Sequence, residues 1–422
     1  MCSLGEGWVG KAGGHYNYLM ETRHKTRILI AGGGISGLTA ALALLKRGYD
    51  VDVYEQAAEL REVGAGLQIS PNGTRVLHEL GVLDAFRALA CEAEGKEIRL
   101  WNTGQSWRIH DLGEESVARY GFPYCTAYRP DLLAVLAAGV QRIKPDAIHL
   151  NAKCTGFSQN AQGVTLTFNG GDAHGDALIG ADGVHSRIRQ GLFGDDKPEY
   201  TGMLSWRGVI PMEKLPQRMR RRIGNNWVGP GGHVVHYPVH RGEYMNMNGI
   251  IEIEGWQEES WSARGTHEEC HAAFAGWSAD IHAMIDHIAT PFKWALFNRQ
   301  PLTQWCVGRV SLAGDAYHSM LPMLAQGGVM AMEDGFVLAR ALEAAGAAGE
   351  DIEQGLQRYQ AARIERTTKV VIGSAENGRR FQSRTLADAA AAQEYVDREW
   401  QPEKVRGRYD WIFNYDVTST PV

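Results

Sequence analysis

The stretch Arg27-Ile28-Leu29-Ile30-Ala31-Gly32-Gly33-Gly34-Ile35-Ser36-Gly37-Leu38 decides how the chain is read. Its first five residues form an apolar run that stops at glycines, the pattern of a strand buried on both faces. Past the glycines, Ile35, Leu38, Ala41, Leu42 and Leu45 recur at helical spacing up to Arg47-Gly48, a basic last turn and a glycine stop. Asp50 to Glu55 then reads as a second strand. Strand, glycine turn, helix and strand make a βαβ unit, with Gly32, Gly34 and Gly37 at GxGxxG spacing in its turn. Gly32 permits the tight turn, Gly34 lets a pyrophosphate approach the backbone, and Gly37 lets helix and strand pack closely. The helix N-terminus, with Ser36 in its first turn, offers free amides and a dipole to that pyrophosphate. Glu55, closing the second strand, can accept both ribose hydroxyls and disfavours a 2′-phosphate. The adenosine held here belongs to FAD or NAD, not NADP.

Working outward, the chain has 422 residues, 44% hydrophobic, and a net charge of -6. That length predicts two or more domains. The acidic balance gives no electrostatic case for nucleic acid or an anionic membrane. No apolar run reaches membrane-spanning length. Six cysteines lie scattered without a CxxC pair, reading as reduced thiols in a cytoplasmic protein. Residues 1–25 lack the apolar core of a secretory signal and read as a flexible leader. Glycine is in excess, 50 residues against roughly 30 in an average chain of this length.

Further α/β segments follow: strands at 97–101, 106–112, 164–168 and 176–182, and helical runs after Pro71 and Asp131. Between about 203 and 254 the texture becomes that of longer antiparallel strands without intervening helices. After 309 the α/β texture returns, with helices expected over 328–345 and 352–372. The resulting fold class is α/β (α+β, two-domain). A Rossmann-like FAD-binding domain is expected in two parts, 26–200 and 301–375. An antiparallel-sheet substrate domain is inserted at 201–300, and a helical region closes the chain at 376–422.

Two later boxes identify the dinucleotide. Gly180-Ala181-Asp182-Gly183 follows one strand, and Gly314-Asp315-Ala316-Tyr317-His318 lies between another strand and a helix. The second continues through Leu321-Pro322-Met323-Leu324-Ala325-Gln326-Gly327-Gly328 to Met332-Glu333-Asp334. With the glycine turn and the stretch 62–72 (EVGAGLQISPN), this set resembles the class A, single-component FAD-dependent aromatic monooxygenases. The salicylate, 3-hydroxybenzoate and 6-hydroxynicotinate hydroxylases are the nearest in pattern, by Arg119–Tyr124, Gly232–Pro238 and Trp411–Tyr415.

The resemblance implies FAD on Gly32, Gly34, Ser36, Gly37 and Glu55. It places Arg129 at the phosphate–ribose region, Asp315 on the ribityl chain, and the Gly327 and Gly328 amides at the pyrimidine edge. Asp182 belongs to a box tied to both FAD and reduced nicotinamide. Alternation along 233–240 puts His233 and Tyr237 on one face of a strand, with His236 and His240 on the other. His233, Tyr237 and Tyr124 match active-site positions, and an imidazole of near-neutral pKa suits removal of a phenol proton. Gln68 and Pro322 are expected to line the substrate pocket. Arg207 reads equally as a carboxylate ligand or a structural ion pair. The histidines lack a carboxylate or thiolate at ligand spacing, so no metal is expected. Tyr317 and Ser319 replace the family's alanine and proline, an expected disturbance near the flavin ring.

The activity implied is hydroxylation of a small phenolic aromatic acid by O2 and NAD(P)H, NADH favoured, through a flavin C4a-hydroperoxide, in a protein that is often a homodimer in this family. Gln68 stands where hydroxynicotinate relatives carry histidine, which tilts the reading toward hydroxybenzoates. The alternatives are hydroxylation of an N-heteroaromatic acid such as 6-hydroxynicotinate, with or without loss of CO2, and an uncoupled NADH oxidase.

Overall fold

The computed structural model describes residues 25–60, 66–196, 198–253 and 263–422. Residues 1–24 of the expected leader, and Gly64 of the 62–72 stretch, lie outside them. Arg27–Ala31 sits inside a six-stranded sheet. The order is Cys306–Val307, Val310–Leu312, Ala177–Gly180, Arg27–Ala31, Asp50–Tyr54, Ile148–His149. Every pairing is parallel except the first. Such strands need cover on both faces, hence the unbroken apolar runs. Helix Ile35–Leu45, buried along its whole length, packs against helices Gly327–Ala347 and Arg129–Ile143. Gly335 makes the first crossing close, since a Cβ there would stand 2.5 Å from the Ala40 amide nitrogen.

The second sheet has eight strands. Its order is Ala263–Arg264, Phe292–Asn298, Glu199–Pro211, Tyr244–Glu252, Gly232–Val239, Ile223–Gly229, Gly95–Leu100, Ser106–Asp111. One face carries Trp206, Trp227, Val234, Met245 and Met247 onto Phe274, Ile281 and Met284. The other carries Ile98, Leu100, Val228 and Ile250 toward Tyr124, Phe381, Tyr409 and Phe413. The C-terminal helices Ala389–Glu399 and Pro402–Phe413 therefore roof part of that second face.

The α/β fold class agrees with the sequence, but one boundary needs correction. Gly95–Leu100 and Ser106–Asp111 fall within the expected first domain, 26–200, yet they form one end of the second sheet, with Ser106–Asp111 at its edge. Their alternation marks them as strands, but the partner comes from a parallel pairing with Ile223–Gly229, far along the chain. The helix expected to end at 372 runs on as Ile352–Phe381, and so connects the two sheets.

Buried charge holds this together. Glu333, Asp334 and Arg363 are inaccessible to solvent and Arg366 nearly so. Arg363 donates to Asp334 and Glu333, both at 2.8 Å, and Arg366 donates to both Glu333 oxygens at 2.7 Å. Asp334 also accepts from the Gly314 amide (3.0 Å) and Tyr317 Oη (2.9 Å), with His318 Nε2 at 2.6 Å. Burial alone raises both carboxyls, but the arginines, and His318 beside Asp334, outweigh it and leave both lowered. Replacing Arg363 with Met strands a buried carboxylate. The expected loss is about 3–5 kcal/mol, read as a lowered urea midpoint, and an unchanged midpoint would refute this account.

Candidate active site

At the first turn, Gly32 has φ 106°, and a Cβ there would strike the Ala181 carbonyl oxygen at 2.2 Å. A Cβ on Gly37 would lie 1.9 Å from the Gly32 carbonyl oxygen. By contrast, nothing lies within 4 Å of a Cβ built on Gly34. The turn is thus crowded toward the protein and open where a pyrophosphate would approach. Ser36 Oγ, at the start of the helix, is buried with no hydrogen-bond partner among the described residues. Glu55 follows the second strand, and its oxygens accept from the Gly33 amide (2.6 Å) and the Ala57 amide (2.8 Å). Arg129 opens helix Arg129–Ile143 and is half-buried.

The late box supplies a second cradle. Asp315 begins the short helix Asp315–His318 after Gly314, whose φ is 64°. Its half-buried carboxylate has no hydrogen-bond or ion-pair partner among the described residues. Pro322–Leu324 forms one 3₁₀ turn, and Ala325 turns left-handed at φ 54° to aim Gly327–Ala347. Among the described residues no side chain caps that helix, so the amides of Gly327 and Gly328 remain available for an acceptor. A Cβ on Gly328 would meet Ile35 and Leu67, so both helix starts lie near one another. Open backbone, free amides and an unspent carboxylate fit a flavin dinucleotide.

One expectation changes. Tyr317 turns away from this cradle, stacking on Trp305 at a centroid distance of 4.2 Å and bonding Asp334. Its bulk belongs to the core, so it does not reshape the pocket. Ser319 is buried with its hydroxyl lacking a partner among the described residues. Asp182 accepts from Ser186 Oγ (2.5 Å) and the amides of Arg187 (2.7 Å) and Ile188 (3.2 Å), capping helix Arg187–Phe193.

The sheet face roofed by the C-terminal helices carries the remaining residues. His233 and Tyr237 share it, as alternation predicts, and both are buried. His236 lies on the opposite face beside Met245 Sδ (3.4 Å), and His240 pairs with Asp131 at 2.7 Å. Gly66 closes on this face, its amide donating to Asn246 Oδ1 at 2.8 Å, and a Cβ there would touch Tyr237 at 2.7 Å. Tyr124 Oη donates to Gln68 Oε1 at 2.9 Å. Arg207, also on this face by register with Asn248, is half-buried with its guanidinium 5.6 Å over Trp294. Gln382, one residue beyond the long helix, meets His233 Nδ1 at 3.0 Å. No periodicity announces Gln382, because the contact exists only once that helix crosses the sheet. Burial pushes His233 down to about 3, so it is a neutral imidazole, not the near-neutral base expected.

Residues 25–374 match the FAD binding domain family. The chain belongs to that family. It is 37% identical over 395 residues to 3-amino-4-hydroxybenzoate 2-monooxygenase PtnB3 of Streptomyces platensis, covering 93% of this chain and 97% of that protein. It is 34% identical over 392 residues to a 3-hydroxybenzoate 6-hydroxylase of Polaromonas naphthalenivorans, covering 92% and 96%. Among solved structures, Klebsiella pneumoniae HpxO complexed with FAD and uric acid superposes with a TM-score of 0.76 at 25% identity, covering 90% and 96%. The protein is a FAD-dependent aromatic monooxygenase. No helix among the described residues is long and apolar enough to cross a membrane.

The monooxygenase should be acid-sensitive for a defined reason. Burial lowers His233, His236 and His110 to about 3. Unfolding restores each to about 6.5. Between those values the unfolded chain binds more protons, so stability falls as pH falls. Each histidine accounts for up to about 1.4 kcal/mol per pH unit there. In urea titrations between pH 6 and 4, His236→Gln should show a shallower loss than the parent. Identical slopes would mean that His236 is not held neutral.

Proposed function

We propose that this monooxygenase hydroxylates a small phenolic aromatic acid of the hydroxybenzoate or salicylate kind. One O2, one NAD(P)H and one proton are consumed; one oxygen atom enters the ring and the other leaves as water, with NAD(P)+ formed. Where the attacked carbon carries the carboxylate, CO2 leaves instead of a proton. The observation that carries the reading is the placement of His233 and Tyr237 on one desolvated sheet face, against the strand Gly66–Ile69. The hydroxybenzoate-acting relatives support it.

Bound FAD supplies the redox chemistry that couples reduced nicotinamide and O2 to the ring. The chain itself binds, orients and desolvates. With the Gln382 amide placed to donate to Nδ1, His233 carries its proton on Nε2. That N–H then donates to the phenolic oxygen and favours its ionised form, which is the electron-rich form of the ring. Burial pushes the Tyr237 and Tyr124 phenols upward, so both stay protonated donors. Tyr124 spends its proton on Gln68 and thereby sets that side chain.

The test is NADH and NADPH oxidation by the FAD-loaded protein, with and without salicylate, 3- and 4-hydroxybenzoate, 3-amino-4-hydroxybenzoate and 6-hydroxynicotinate, quantifying product and peroxide. At least one phenolic acid should stimulate turnover and appear hydroxylated. Peroxide matching nicotinamide one for one would identify an uncoupled oxidase instead. His233→Ala should retain FAD, lower kcat by roughly 10²-fold, and raise the pKa of the bound phenol in ultraviolet difference spectra. Loss of FAD would make His233 structural.

A further inference from the structure

Lys96 is a lysine that the fold buries on the substrate side of the second sheet. It is 9% exposed, and among the described residues it has no hydrogen-bond or ion-pair partner. Its Nζ lies 4.7 Å from the centre of the Tyr124 ring and 5.9 Å from that of Tyr409. The nearest acid in sequence, Glu97, points to the opposite face and is held by Arg99 and Arg221. A buried ammonium without a counter-charge is costly, so proteins keep one where a partner arrives or a charge is needed. Here burial lowers the amine to about 7, leaving it ready to take up a proton with an arriving anion.

The register says where that anion would come from. Lys96 pairs with Gly224, and Asn225 pairs with His236, so Gly224 stands between Lys96 and Tyr237. Having no side chain, Gly224 leaves a notch. A Cβ in it would lie 3.6 Å from Lys96 Cγ and 3.9 Å from Gln68 Oε1. Lys96 and Gln68 thus flank Gly224, and Tyr237 neighbours it by register, all on the face that carries His233. Arg207 is four strands from Lys96, roughly 19 Å at ordinary strand spacing, too far for one small acid to bridge. Arg207 is also half-exposed and lies against Trp294.

We propose that Lys96 binds the carboxylate of the aromatic substrate across the Gly224 notch, on the sheet face that carries His233. This rests on the phenolic-acid reading above and adds the residue that selects an acid over a neutral phenol.

The experiment titrates the FAD-loaded protein with 3-hydroxybenzoate and with its neutral amide, 3-hydroxybenzamide, following the flavin spectrum. The parent protein should prefer the acid by roughly 10- to 100-fold, the range of one charge-assisted hydrogen bond. Lys96→Met should abolish that preference while keeping FAD and melting no lower. Gly224→Val, which fills the notch without touching the amine, should weaken acid binding by a similar factor. Equal affinity of the parent for both probes overturns the proposal, as does a preference that survives in Lys96→Met, or unweakened acid binding in Gly224→Val. If neither probe binds the parent, the pair is taken from whichever acid above stimulates turnover; if none does, the phenolic-acid reading falls, and the proposal with it.

Discussion

Two carboxylates and two guanidinium groups share a space with almost no water, and the flavin cradle depends on that cluster. Glu333 and Asp334 are adjacent on helix Gly327–Ala347, while Arg363 and Arg366 lie on Ile352–Phe381. The charges cancel, and the donors meet nearly every acceptor site, which is the condition for tolerating such burial. The same carboxylates reach outward. Glu333 accepts from Asn72 at 2.8 Å, and Asn72 also donates to Gln326, which bonds Ser70. Asp334 holds the Gly314 turn. One cluster therefore sets the helix that aims Gly327 and Gly328, the turn that presents Asp315, and the segment leading into helix Pro71–Glu79.

Around that anchor the chain separates two kinds of surface. The parallel sheet is largely apolar on both sides, and the glycine turn after Ala31 and the Gly314–Asp315 turn after Leu312 both lie at its C-terminal edge. The second sheet is asymmetric. One face is a closed apolar core, while the other keeps His233, Tyr237, Asn246 and Lys96 among aromatic rings. The shared long helix, running from the first sheet to Gln382, links the charged cluster to His233.

Much of this was legible in the residues. The glycine turn reads directly, because each glycine answers a local need: a positive φ at Gly32, an approach at Gly37 that excludes a Cβ. Strand alternation separates His233 and Tyr237 from His236 for the same local reason. Tyr317 departs from expectation because sequence position places it beside the flavin box, while Trp305 and Asp334 set the direction of its side chain. The imidazole of His233 was read as near-neutral because its burial under Phe381 and Gln382 is a tertiary fact.

The sequence by itself determined the dinucleotide turn and the strand faces, since those follow from backbone conformation and period, which act over a few residues; the family resemblance rested on the boxes at 32–37, 180–183 and 314–334. Only the tertiary structure decided that Gly95–Leu100 belongs to the second sheet and that Lys96 has no counter-ion among the described residues. It alone decided that Arg363 and Arg366 answer Glu333 and Asp334. Pairing of strands, cancellation of charge and exclusion of water depend on residues that are distant in the chain and adjacent only after folding.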